Sequence, residues 1–349
     1  MHMADALLAP GVAAVMYVAS GTAAVFSVQK LKQDEEARKL PTMAVTSALV
    51  FAGQMINYTI PGTGSSGHMC GGMLLSALLG PQAGFLSMIV ILTIQCLFFA
   101  DGGLMALGAN IWNMAFYGCF VGYYLIWRPI MGSGLFGGRG SGTRGRIIAA
   151  SVLGSVLTLQ LGAFSVVLET SLSGITELPF AAFAALMQPI HLAIGTVEGL
   201  VTAAVLVFVY EARPELLREA EAAGERSGKL SLRWTLGILA AAAVFVGAGL
   251  SLAASSNPDG LEWALFGNEE AGYSANMGLD EEDFGVSSGI ADTAGAIQEA
   301  TSFLPDYSFS ESDSAAGTSV SGLVGSAMVA LVAVLICVAG GFFRKKKQV

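Results

Sequence analysis

Several apolar stretches of 18 or more residues recur along this chain, each long enough to cross a hydrocarbon core of about 30 Å as a helix. In lipid, backbone groups must be satisfied inside the segment, so runs of this length specify spanning helices. The runs are 7–28, 82–99, 104–126, 147–168, 181–209, 234–253 and 321–343, with a slightly shorter one at 42–57 and a short one at 71–80. The expected class is therefore an all-α integral membrane protein. Composition agrees, since 54% of residues are hydrophobic and 12% charged, where soluble domains carry about 25% charged residues. The first run has no Lys or Arg ahead of it and exceeds a signal-peptide core, so it reads as a retained helix.

Loop charge gives an orientation, because Lys and Arg stay on the cytoplasmic side. The bases form four groups: Lys30, Lys32, Arg38 and Lys39; Arg128, Arg139, Arg144 and Arg146; Arg213, Arg218, Arg226, Lys229 and Arg233; and Arg344, Lys345, Lys346 and Lys347. A single crossing over 71–99 would put the first two groups on opposite sides. Two crossings, broken at Gly80-Pro81, put all 17 bases inside and the N-terminus outside. Residues 71–80 then reach only about 15 Å as a helix. The segment is expected to be a half-helix buried in protein, of the broken kind found around binding sites. The expected architecture is a core of about seven crossings plus two C-terminal transmembrane helices, with 1–6, 58–70, 100–103, 169–180 and 254–320 outside.

The net charge of −9 is local. Half of the acids, 13 of 26, lie in 254–320, which has no Lys, Arg or His, and the rest of the chain is mildly basic. No nucleic-acid partner is expected of such a chain. The Gly/Ser/Asp/Glu-rich stretch 254–320 predicts a poorly ordered extracellular loop between two final helices. Residues 211–232 read as a cytoplasmic linker dividing a core at 1–210 from a two-helix unit at 233–349. Cys70, Cys96, Cys119 and Cys337 sit in or beside apolar runs without C-x-x-C spacing and read as small apolar side chains.

No phosphate loop, nucleophile elbow or H-E-x-x-H is present, so neither ATP hydrolysis nor another enzyme activity is expected of this chain. Chemistry is sought instead in the three histidines. His2 is too large a second residue for ready removal of Met1, which keeps a free α-amine. That amine, the His2 backbone nitrogen and the His2 ring Nδ1 can chelate one ion through unstrained five- and six-membered rings. Three nitrogens nearly in one plane suit Ni(II) or Cu(II). A fourth is available at His68, in the outside loop Pro61-Gly-Thr-Gly-Ser-Ser-Gly-His-Met-Cys-Gly-Gly72, whose glycines allow close approach. The plainer alternative for His2 is an exposed terminal side chain without a role.

His191 and Glu198 share one face of the run 181–209. They are functional candidates as intramembrane ionisable groups, or a His–Glu hydrogen bond that holds helices together. Asp101 and Asn110 flank an outside turn and are expected to orient the His68 loop. Met1, Met3, Met55, Met69 and Met73 offer soft donors for Cu(I), or simply fill gaps in packing.

The opening Met-His-Met, the loop Gly64-Ser-Ser-Gly-His68 and the turn Gly102-Gly-Leu-Met-Ala-Leu-Gly-Ala-Asn110 resemble the cobalt/nickel substrate-binding component of energy-coupling-factor transporters. Gly195-Thr-Val-Glu-Gly-Leu-Val-Thr202 is similar to that family's last core helix, and Asn257-Pro-Asp-Gly-Leu-Glu262 to its two-helix accessory subunit, here fused at the C-terminus. The resemblance implies Co(II) or Ni(II) as transported substrate and no bound nucleotide. It implies a site made of the Met1 amine, the His2 backbone and ring nitrogens, and His68. It implies a transmembrane coupling subunit and two ATP-binding cassette subunits as partners, in a bacterial or archaeal cytoplasmic membrane. Asp101 stands where many relatives have a histidine, and the acidic stretch 263–320 is longer than the accessory unit leads one to expect. A self-sufficient secondary metal transporter and a membrane metal sensor remain competing functions.

Overall fold

The computed structural model describes residues 1–33, 40–132, 142–175, 178–217, 228–273, 285–309 and 315–345. The bases Arg38, Lys39, Arg139, Arg218, Arg226, Lys346 and Lys347 lie outside the described residues, as do 274–284 and 310–314 of the acidic stretch.

The apolar runs become helices: α1 (Pro10–Gln33), α2 (Leu40–Gln54), α3 (Gly72–Leu79), α4 (Pro81–Phe99), α5 (107–132), α6 (Thr143–Leu172), α7 (Phe180–Ala212) and α8 (Leu232–Ala248). Two short helices, α9 (Gly260–Phe266) and α10 (Gly289–Thr301), precede the last one, α11 (Ala315–Lys345). Helix α5 takes wide π-type winding over Trp112–Trp127. Among the described residues, six segments are long and apolar enough to span a membrane: Pro10–Leu31, Pro81–Phe99, Thr143–Leu172, Phe180–Ala212, Leu232–Ala253 and Ala316–Leu335. Their outward faces leave large apolar side chains exposed, among them Val18, Leu153, Leu200 and Phe245, as lipid contact requires. Close packing elsewhere uses small residues. Gly195 and Gly199 of α7 lie against the backbone at Val156 and Val152 of α6, so a Cβ at either would come within 2.8 Å of it.

The short segment 71–80 behaves as its length requires. Every residue of α3 is buried. The chain turns at Gly80, whose φ of 84° and ψ of 160° suit only glycine. It then folds back, because Gly84 of α4 rests on the backbone of Leu75 and Ser76.

The described parts of 254–320 depart from expectation. The composition of this stretch predicts poor order, yet its described parts are folded onto the helices and the hairpin. Asp259-Gly-Leu-Glu262 forms a capping box at the start of α9: Asp259 Oδ1 accepts the Leu261 and Glu262 N–H at 2.7 and 2.9 Å, and Glu262 accepts the Asp259 N–H at 3.1 Å. Upstream, Ser66 N–H donates to the Pro258 carbonyl at 2.8 Å, which joins this segment to the hairpin of β1 (Tyr58–Ile60) and β2 (Ser65–Gly67). Downstream, Gln298 of α10 donates to the carbonyls of Cys96 and Gly102 at 2.9 and 2.7 Å. Charge density argues for disorder only when a segment has nothing to bond to, and here the core supplies open carbonyls and N–H groups.

Candidate metal site at the N-terminus

The first residues thread into the protein. Met1 and Met3 are buried, and Asn110 holds Met3 from both sides: its Oδ1 accepts the Met3 N–H at 2.8 Å and its Nδ2 donates to the Met3 carbonyl at 3.1 Å. Gly103 N–H donates to the same carbonyl at 2.9 Å. The double glycine makes room for this. A Cβ on Gly103 would stand 1.8 Å from Asp5 Oδ1, and one on Gly102 would stand 3.1 Å from His2 Cβ. Asn110 therefore anchors the N-terminus, rather than the His68 loop that it was expected to orient.

This threading carries the Met1 amine to His68. The amine lies 3.3 Å from His68 Nε2 and 2.6 Å from Asp259 Oδ2. His68 Nδ1 lies 3.2 Å from the Met69 carbonyl, which only accepts, so the ring proton sits on Nδ1 and the Nε2 lone pair faces the amine. The His2 and His68 rings meet edge to face with centroids 5.3 Å apart. Met1 and His2 are thus brought to His68, which lies more than 60 residues away in sequence.

Electrostatics follow from burial and three charges. Burial holds the His68 ring neutral by pushing its pKa down to about 3, helped by the positive amine and His2. Burial alone would lower the amine's pKa, but the Asp259 carboxylate outweighs it and raises it. Asp259 is itself held low by the amine against the opposing effect of burial. Asp101 is lowered to about 2, because its contact with His2 outweighs its own burial.

Asp101 also takes a different partner from the one expected. It bonds His2 Nδ1 in a short contact and accepts from the Tyr307 hydroxyl at 2.5 Å, so it orients His2 and not the His68 loop. Tyr307 in turn stacks on Phe99 at 5.0 Å. His2 Nε2 is buried without a hydrogen-bond partner.

His191 and Glu198 do not bond each other. Seven residues along a helix is about 10 Å, which puts them on one face but out of reach. Instead the Glu198 carboxylate accepts the N–H of Cys70 and Gly71 at 2.6 and 3.1 Å, at the turn that follows His68 and opens α3. His191 Nδ1 lies 2.8 Å from the Met187 carbonyl of its own helix. The methionines fill space: Met73 sits against Gly122 and Gly154, and Met69 against Gly53.

Outside this cluster lies a vestibule of about 800 Å³ lined by His2 and by Asp5, Asp101, Asp259, Glu262 and Asp306. Five carboxylates in its lining make it a place that attracts cations. Among the described residues no three His, Cys, Asp or Glu side chains converge as a metal-binding set. A metal held here therefore depends on the amine and a backbone nitrogen, donors that a side-chain count omits.

Residues 2–216 match the family described as cobalt uptake substrate-specific transmembrane region. The chain belongs to this family. Residues 233–340 match a second family, the PDGLE domain, named for the run at Pro258–Glu262 that forms the capping box. Similar proteins include the fused nickel transport protein NikMN of Rhodobacter capsulatus, 33% identical over 317 residues that make 84% of this chain and 83% of that protein. A protein of Archaeoglobus fulgidus that also carries the NikMN name is 34% identical over 330 residues, 94% of this chain and 95% of that one. A crystal structure of a transition metal transporter has a TM-score of 0.53 at 28% identity and covers 64% of this chain and 100% of its own. The expected membership in the cobalt/nickel family with a PDGLE-type fusion is thereby met.

The sequence reasoning missed three partners of the site. Asp259 and Tyr307 lie in the stretch whose composition predicts a poorly ordered loop, and Glu198 bonds the turn after His68 rather than His191. One signal was present for Asp259: Asp-x-x-Glu before Trp263-Ala-Leu-Phe266 is a helix start. Nothing local marks Tyr307.

Proposed function

We propose that this cobalt/nickel family member is the substrate-specific membrane component of an energy-coupling-factor importer, which captures Co(II) or Ni(II) at the extracytoplasmic face. Residues 1–210 form the metal-binding core, 211–232 a cytoplasmic linker and 233–349 the accessory unit. A transmembrane coupling subunit and two ATP-binding cassette subunits complete the importer in the cytoplasmic membrane of a bacterium or archaeon. The N-terminus faces outward and the C-terminus inward.

One observation carries this reading: the Met1 amine stands beside an unprotonated, tautomer-fixed His68 Nε2 at 3.3 Å. The amine, the His2 backbone nitrogen, the His2 ring and His68 supply four nitrogens to one ion. His2 presents Nδ1 to Asp101. Chelation calls for a half-turn of the ring about Cβ–Cγ. That turn brings Nε2 to the Asp101 side, where its N–H can donate to the carboxylate, in the arrangement common to metal-bound histidines. The amine gives up its ion pair with Asp259 as the metal ion arrives, because it must shed its proton to become a donor.

Two measurements test this. Calorimetry on purified His68→Ala should show loss of high-affinity Ni(II) binding with expression unchanged, and wild-type affinity would overturn the site. Uptake into proteoliposomes should require ATP and the partner subunits. Uptake by this chain alone would favour a secondary transporter.

A further inference from the structure

A second, smaller cavity adjoins the site. Its volume is about 10 Å³, and its lining includes Met1, His68, Cys70, His191, Asp259 and Gly260. It shares only Asp259 with the lining of the vestibule. A space of this size accepts about one water-sized particle. A divalent cation there would have lost its hydration shell, and only protein donors could replace it.

Most donors around this cavity are engaged. The amine pairs with Asp259, and His68 Nε2 faces the amine. His191 differs. Its Nδ1 must carry the proton, because the group it meets at 2.8 Å is the Met187 carbonyl. Its Nε2 is then a bare lone pair, and that atom is buried with no hydrogen-bond partner on a residue only 1% exposed. A neutral imidazole with one N–H donated to a carbonyl and the other nitrogen free is the state in which histidine binds metals. His68 has the same arrangement, with Nδ1 turned to the Met69 carbonyl. Gly260 lets the ring reach the cavity wall, since a Cβ there would stand 3.4 Å from His191 Cε1 and 2.6 Å from Ile190 Cγ2.

We infer that His191 Nε2 is a second, transient ligand for the transported divalent cation, taking it in passage from the cavity it shares with Met1 and His68. This rests on the metal-capture reading above. The resting ion does not need His191, because four nitrogens already complete a planar site. A transit position needs fewer fixed ligands, consistent with a cavity whose donors come from several elements.

The test pairs binding with transport. Purified full-length His191→Gln should bind Ni(II) chloride by calorimetry within twofold of wild type and melt at the same temperature. In the native host, with the chromosomal gene replaced, radioactive Ni(II) uptake should fall at least tenfold. His191→Cys, which restores a metal-binding atom, should recover a third or more of wild-type uptake. Wild-type uptake by the Gln variant would overturn the inference and leave the capture reading standing. So would equal loss with Gln and Cys, which marks a packing role. Loss of resting affinity in His191→Gln as deep as in His68→Ala would also overturn it, by making His191 part of the resting site. Host uptake that does not depend on the gene would overturn both readings.

Discussion

Adding one alanine ahead of Met1 is the most incisive perturbation of this site. The Met1 amine is a buried cation 2.6 Å from Asp259, with side chains 3% and 17% exposed. Extension turns it into an uncharged amide N–H and moves the positive charge about 3.5 Å further along the chain. One-sided loss of a buried ion pair costs about 3–5 kcal/mol. Asp259 keeps two N–H donors from its capping box, so the lower end, about 3 kcal/mol, is the better figure. The metal loses more, since a donor nitrogen and a chelate ring vanish together. A loss of about 3 kcal/mol already exceeds 100-fold in affinity. Nickel calorimetry on the purified chain, with the extra residue confirmed by mass spectrometry, should show at least that decrease. The same residue placed after Val349 should change nothing. His2→Ala should match the extension, because it removes the ring donor and exposes Met1 to cleavage. Extended protein that binds nickel within threefold of wild type would refute the amine as a ligand.

Nickel affinity should rise with pH. Asp259 raises the amine's pKa, so below that value binding expels an ammonium proton as well as the His2 amide proton, and affinity falls about 100-fold per unit as pH falls. Above it only the amide proton leaves, and the slope drops to about tenfold. Asp259→Asn removes the charge that raises the amine, so the break should move to lower pH. Calorimetry between pH 6 and 9 in buffers of different ionisation enthalpy counts the protons, and a flat profile would contradict the chelate. Glu198→Gln should weaken nickel binding about tenfold or more. It puts an NH2 against at least one of the Cys70 and Gly71 N–H groups, and a buried N–H left without an acceptor costs about 1–3 kcal/mol. Unchanged affinity in that variant would show that the turn after His68 holds its shape without the carboxylate.

What was legible in the sequence is what one-dimensional patterns encode. Apolar run length located the long helices. The break at Gly80-Pro81 and the brevity of 71–80 required a buried half-helix, and α3 is one. Met1 and His2 could be proposed as donors because chelation by adjacent nitrogens is a property of the chain itself, and the structure places His68 beside them. Partners contributed from a distance were not legible. Asn110 points at Met3 and Asp101 at His2, contacts made across about 100 residues that no spacing predicts. Helical periodicity placed His191 and Glu198 on one face correctly, but a shared face is not a contact when the two are two turns apart.

The fused C-terminal unit meets the N-terminus through one carboxylate. Asp259 Oδ1 closes the capping box that starts α9, and Oδ2 of the same group holds the Met1 amine. The first contact fixes the direction of the second, because a side chain bound to two backbone N–H groups has no free rotamer. The adjoining carbonyl of Pro258 bonds the strand that leads into His68, and Tyr307 bonds the acid that holds His2. The accessory segment therefore touches three separate pieces of the site: amine, hairpin and the Asp101 turn. A boundary drawn at 211–232 divides the membrane helices but cuts through the site, since a core ending at residue 210 keeps Met1, His2 and His68 and loses the groups that orient them. Charge composition placed 254–320 outside the folded protein. Its Asp259-Gly-Leu-Glu262 motif shows why that inference fails: acids that repel one another in solution become caps and counter-ions where N–H groups and an amine are waiting for them.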